Sequence, residues 1–219
     1  MRHLPEAWLR TVAAVGARGD VAQAGAELLG RYAERHRRYH DLAHLDDVLR
    51  HVDELAAHAR DAPAVRLAAW FHDAVYDPRA TDNEERSARL AETSLSALRV
   101  EDRVVAEVAR LVRVTAAHAP QPGDADAEVL CDADLAILAS GAERYERYVE
   151  AIRAEFSHLA DPDFARGRAA VLRALLARDP LFATPTGHSD WEDAARANVT
   201  AEIIRLDAAG GAGRSRADE

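Results

Sequence analysis

The stretch LAHLDDVLRHVDELAAHA, residues 42–59, decides the fold class. Leu45, Val48, Leu49, Val52 and Leu55 recur at spacings of three and four, which makes one face of a helix apolar. A half-buried strand would alternate at every second residue, and this stretch does not. The same helical period continues on both sides. Pro5 sits where a first-turn proline is tolerated, with Trp8, Leu9, Val12, Ala13 and Val15 as an apolar stripe behind it. A second helix is expected from Val21 to about Arg37, with Leu28, Leu29 and Tyr32 facing inward. Pro63 opens a fourth helix, from Val65 to about Val75, which Pro78 ends. Thr81-Asp82-Asn83-Glu84 has the form of a capping box, so a fifth should begin there and reach about Leu98. Further helices are expected over 101–118, 128–138, 142–159, 162–178 and 189–208, with Pro120, Pro122 and Gly123 forming the clearest loop. The fold class expected is all-α. Residues 39–178 should form the core domain, with N-terminal helices (1–38) packed on it. A C-terminal helix (179–209) and a Gly-rich, charged, disordered tail (210–219) complete the division.

Composition agrees. Hydrophobic residues make up 48% of the 219 and aromatics only 5%, a mix that suits Ala/Leu/Val helices better than sheets. A formal charge of −10 opposes general nucleic-acid binding, although one local basic patch would be enough for a small phosphorylated substrate. All 28 basic residues other than histidine are Arg. Cys131 is the single cysteine, so no internal disulfide forms and a reducing cytoplasm is the expected location. No long apolar run suggests a leader or a membrane span.

Three features carry chemistry. His72-Asp73 directly ends an apolar run, Ala68-Ala69-Trp70-Phe71, where an ionisable pair is costly unless something neutralises it. A divalent cation would do so, since imidazole and carboxylate both suit Mn²⁺, Fe²⁺, Co²⁺, Ni²⁺ and Zn²⁺. The plain alternative is a helix-end pair without a partner. His40 and His44 are four apart, one above the other if their helix extends that far, and His44 lies on the rim of the buried stripe. Otherwise His40, His44, His51 and His58 form a solvated edge. Asp132-Ala133-Asp134 interrupts an apolar helix start: Asp132 suits an N-cap, whereas Asp134 falls among Leu135, Ile137 and Leu138.

The order His44, His72-Asp73, Asp134 resembles the HD superfamily of metal-dependent phosphohydrolases, and more closely a subgroup known as predicted HD phosphohydrolases. Its signature segments look like Arg38-Tyr39-His40…His44-Leu45, Trp70 to Pro78, Asp82-Asn83-Glu84, Asp132-Ala133-Asp134-Leu135 and Gly167-Arg168, spread from about Tyr39 to Arg178. The resemblance implies a single HD-type helical domain. It also implies one divalent metal ion (Mn, Fe, Co, Ni, Zn or Mg) held by His44, His72, Asp73 and Asp134, the last opening a later helix.

A phosphomonoester or phosphodiester of a small substrate, with a nucleotide as the expected class, would be cleaved by a metal-activated water. Arg38 and His40, nearest the ligands in sequence, are the preferred substrate contacts, with Arg168 a further one; Arg offers a planar fork for phosphate, though Arg35, Arg37 and Arg38 would also suit a solvated helix end. Asp73, Asp77 and His118 form the catalytic set. His118 serves as proton donor or phosphate contact, and Asp77 and Glu84 are both candidates for general acid or base. The alarmone hydrolases and deoxynucleotide phosphatases of the superfamily carry a Glu near Tyr76-Asp77 that is missing here, which argues against their substrates. The rival from another class is a non-catalytic HD-fold module that binds a nucleotide or a protein. A di-iron oxygenase needs more ligands than Asp82, Asn83 and His118 supply. The sequence leaves a homodimer open.

Overall fold

In the computed structural model, which describes residues 3–212, every regular element among the described residues is helical. The chain divides into two compact units, Met1–Asp134 and Leu135–Glu219. The expected core of 39–178 therefore spans parts of both, and the boundary follows Asp134 directly.

The first unit is built around α4 (Ala62–Phe71). Ala64, Val65, Leu67, Ala68, Ala69, Trp70 and Phe71 are all buried, so this helix has no solvent face over most of its length. Around it pack α1 (Leu4–Ala14), α3 (Leu42–Leu55), α5 (Asn83–Ala97) and α6 (Asp102–Val114), while α2 (Val21–Tyr32) packs on α1 and α3. The stripe expected on α3 is buried throughout. On α1 the inward face is Leu4, Ala7, Trp8, Thr11 and Val12, whereas Leu9 and Ala13, expected inward, are exposed. Trp8 anchors the face: its ring meets Trp70 and Phe71 edge-on at 5.4 and 6.1 Å, and its Nε1–H donates to the Val21 carbonyl at 2.6 Å.

Several helices are shorter than the periodicity suggests. The second stops at Tyr32, not near Arg37, and the chain from 33 to 41 is a loop that is exposed as far as Arg38 except for Arg37, which turns inward. The fifth begins at Asn83 with Asp82 at its N-cap, and the Thr81 capping box does not form. The Asn83 amide instead binds the Asp77 backbone, accepting from its N–H and donating to its carbonyl. The seventh, α7 (Ala125–Leu135), starts three residues earlier than expected. It is buried almost all round, and the two acids of its first turn have backbone partners: Asp126 accepts from Arg60 and Asp61 N–H, and Glu128 accepts from Gly123 N–H and pairs with His58.

In the second unit a 3-10 turn (Ala136–Ala139) leads to α8 (Ala142–Glu155), α9 (Asp161–Leu176), α10 (Pro185–Asp190) and α11 (Glu192–Ala212). The turn and α9 both pack on α11. The span expected as one helix, 189–208, is thus two, and the last of them runs past Gly210 to Ala212. Residues 213–219, the rest of the expected tail, lie outside the described residues. No helix among the described residues is long and apolar enough to cross a membrane.

Gly25 is needed where α2 crosses Trp8, because a β-carbon there would come within 2.6 Å of the indole nitrogen and closer still to the ring. Gly25→Ala should lower unfolding free energy by about 1–3 kcal/mol through overpacking, read by urea titration.

Candidate metal centre

Helix ends deliver the site. Asp41 caps α3, its Oδ1 accepting from Ala43 N–H at 2.7 Å and His44 N–H at 3.3 Å, and this fixes the turn that carries His44. The helix starts at Leu42, so His40 lies on the preceding loop and not one turn along the same helix. The His40 ring is nevertheless 5.6 Å from that of His44 and stacks on Tyr76 at 4.2 Å. His72 occupies the C-cap of α4. Its Nδ1 lies 2.8 Å from the Ala69 carbonyl, so Nδ1 carries a proton and donates it, and Nε2 faces inward. Asp134 is in the last turn of α7 and closes that helix, contrary to the expectation that it opens one; Asp132 is likewise inside α7 and is not an N-cap.

Ligand atoms of His44, His72 and Asp134 all lie within 4.8 Å of one another, and Asp73 stands beside the two imidazoles. His44 Nε2 is 3.2 Å from His72 Nε2, 3.4 Å from Asp73 Oδ2 and 3.1 Å from Asp134 Oδ1. His72 Nε2 is 3.1 Å from Asp73 Oδ2 and 3.6 Å from Asp134 Oδ1. Ligands about 2.1 Å from one ion stand roughly 3.0 Å apart at octahedral and 3.4 Å apart at tetrahedral angles, so these spacings suit a shared cation. His44, His72 and Asp134 can hold a metal ion. The other Asp134 oxygen, Oδ2, is 2.7 Å from His118 Nε2. His118 follows the end of α6 with φ +48°, in the left-handed region.

Burial and charge pull against one another here. Burial alone would push the His44 imidazole down, but hydrogen bonds to Asp134 and Asp73 outweigh it and raise its pKa to about 9. His72 is likewise held well above the usual histidine value against the burial penalty, first by the charge of Asp73. Burial would raise Asp73 and Asp134, yet the neighbouring imidazoles keep both carboxyls well below the usual range.

The remaining expected site residues are spread out. Arg38 is exposed and lines a cavity of about 340 Å³ together with Arg35, Asp41 and Tyr32. Asp77 is exposed, and one of its oxygens accepts from Arg79 N–H within a turn. Glu84 is in the first turn of α5. Arg168 belongs to the second unit, where it grips buried Glu202 at 2.8 Å and the Tyr148 hydroxyl at 2.7 Å; its fork is already filled by protein, which removes the reason for expecting phosphate there. Arg37, one of three arginines within residues 35–38, also points into protein, and Tyr32 lies against the same turn. Nothing in the sequence separates Arg37 from Arg35 and Arg38; only its burial does.

No family model matches the chain, and no curated protein or solved structure matches it.

Two outcomes follow from this geometry. Arg168→Ala strands Glu202 in the interior with the Tyr145 hydroxyl, and it should cost about 3–5 kcal/mol in chemical denaturation. The second concerns pH. In chelator-treated protein the His44 contribution is complete below the unfolded value of about 6.5 and is lost as pH rises through about 9. The carboxylates, depressed in the folded state, contribute above their unfolded value of about 3.9 and lose that contribution as pH falls. The denaturation midpoint of chelated protein should therefore fall between about pH 6.5 and 9, while apparent metal affinity rises over the same interval as protons leave the ligands.

Proposed function

We propose that the chain is a metal-dependent phosphohydrolase of the HD type, acting on a phosphoester of a small substrate. The reading rests on the grouping of His44, His72 and Asp134, with Asp73 beside both imidazoles, in the order that the resemblance implies. Asp73 completes the set as fourth ligand, with its Oδ2 no more than 3.4 Å from either imidazole nitrogen. When bound, a divalent ion supplies Lewis-acid charge and lowers the pKa of water held on it from about 15.7 towards about 7.

The chain's own residues do the rest. His44, His72 and the two carboxylates fix the position of the charge, and the Ala69 carbonyl orients His72. His118, 26% exposed and 2.7 Å from Asp134, is placed to hold a proton at the rim and pass it to a leaving oxygen. His40, on the loop that leads into α3 with its ring 5.6 Å from that of His44, is the nearer contact for a phosphoryl group, and Arg38 on the same loop lines the cavity beside Arg35 and Asp41. Asp77 has one oxygen engaged by Arg79 and is the weaker candidate for proton transfer. A nucleotide as substrate follows from the resemblance alone.

The test pairs metal content with turnover. Purified protein should carry or take up one divalent ion per chain and hydrolyse at least one phosphoester in a screen with Mn²⁺, Co²⁺, Ni²⁺ or Mg²⁺. His72→Ala and Asp73→Ala should lose both properties together, since each removes a ligand. Arg38→Ala should raise KM more than it lowers kcat if its role is uniform binding. Tight metal binding with no hydrolysis anywhere in the screen would favour the non-catalytic binding module. Full metal and full activity in a folded His72→Ala variant would overturn the reading.

A further inference from the structure

The loop between α2 and α3 holds a cation whose use the ligand set does not explain. Arg37 is 4% exposed, and its guanidinium lies over the rings of Tyr32 and Tyr76, at 5.1 and 5.5 Å. Four of its five N–H groups are engaged. Nε reaches Glu34 at 3.3 Å, Nη1 donates to the carbonyls of His40 at 2.9 Å and Asp73 at 2.7 Å, and Nη2 donates to the Ala74 carbonyl at 3.2 Å. Tyr32 holds the same turn from the end of α2. Its hydroxyl donates to the Trp70 carbonyl at 3.2 Å and accepts from Asp73 N–H at 3.3 Å. His36 adds a bond to the Tyr76 carbonyl at 2.8 Å. The backbone from Trp70 to Tyr76, which presents His72 and Asp73, is thus gripped by side chains of the segment that leads into His44.

A buried arginine is a poor way to gain stability, because its desolvation consumes much of what its partners return, and apolar packing of the same volume does as well or better. What the planar fork provides is fixed spacing between several carbonyls at once. Here it ties the His40 carbonyl to those of Asp73 and Ala74, linking the chain before His44 to the turn of the His-Asp pair. A shift of a few tenths of an ångström between those segments would open the 3.1–3.4 Å spacings among His44, His72 and Asp73.

We propose that Arg37, seconded by Tyr32, is a positioning residue that sets the distance between His44 and the His72-Asp73 pair, so that affinity for a divalent cation depends on it. This rests on the metal reading above and adds to it the residues that hold the ligands apart at the right distance.

The experiment measures Mn²⁺ dissociation constants by calorimetry on chelator-stripped full-length protein, alongside the melting temperature of each metal-free variant. Arg37→Ala should weaken Mn²⁺ binding by about 10- to 100-fold, the usual loss when a partner of a ligand is removed. Arg37→Lys keeps the charge but cannot span three carbonyls and should not restore affinity. Tyr32→Phe keeps the ring and the volume, so it should fold like wild type and still bind Mn²⁺ more weakly, by a smaller factor. Arg103→Ala, at an exposed site on α6, should bind as wild type does. Wild-type Mn²⁺ affinity in folded Arg37→Lys and Tyr32→Phe overturns the positioning role and leaves the metal site standing. Affinity lost only in step with metal-free melting temperature overturns it too, since the residue would then act through the fold. A wild-type protein that binds neither Mn²⁺ nor Zn²⁺ overturns the metal reading and this proposal with it.

Discussion

Two imidazoles 3.2 Å apart, with two carboxylates 3.1–3.6 Å from them in a helical interior, cannot be left to themselves. Their polar atoms face one another, and the two imidazoles are almost wholly removed from solvent. Positive charge has to enter the cluster, as protons or as a cation. The rest of the first unit serves this requirement. A helix buried on nearly every side ends at the pair, another begins just before His44, and a third closes at Asp134. Each supplies its group from a terminal turn, where backbone direction changes and side chains of different helices can be aimed at one point.

The acids of α7 show how such a centre coexists with an apolar core. Asp126 and Glu128 are as buried as their neighbours, yet backbone N–H groups of the Arg60-Asp61 and Gly123 turns, with His58, satisfy them. Asp134, two turns further on, meets the imidazoles of His44, His72 and His118 instead. The same residue type on one helix thus does two jobs: near the N-terminus it ties loops, and near the C-terminus it faces the cluster.

Much of this was legible from residue order. The period of three and four gave the helices, and the α3 stripe is buried as read. An ionisable pair ending an apolar helix is visible in the sequence, and of the two acids Asp132 and Asp134 it is Asp134 that stands beside His44 and His72. Helix ends were read less well. The polar run from Glu34 to Arg38 is as compatible with a solvated helix end as with a loop, so nothing in it marks that the chain leaves the helix after Tyr32, where Arg37 turns inward to the carbonyls of Asp73 and Ala74. The capping box at Thr81 failed for a similar reason: the Asn83 side chain is worth more on the Asp77 turn than Thr81 is at a helix start. At Arg168 a Gly-Arg step looks the same in sequence whether its guanidinium meets a phosphate or, as here, a buried Glu on α11. Charge type is visible in a sequence, but the partner is not when it is 34 residues away.

His118 shows what the centre takes from the rest of the chain. Its left-handed backbone is one that glycine or asparagine would occupy with less strain. Selection for thermal robustness alone would therefore drift towards a smaller residue at this corner, and the ring beside Asp134 would go with it. Variants ranked only by how well they melt would be enriched in molecules that had traded the imidazole for a relaxed turn.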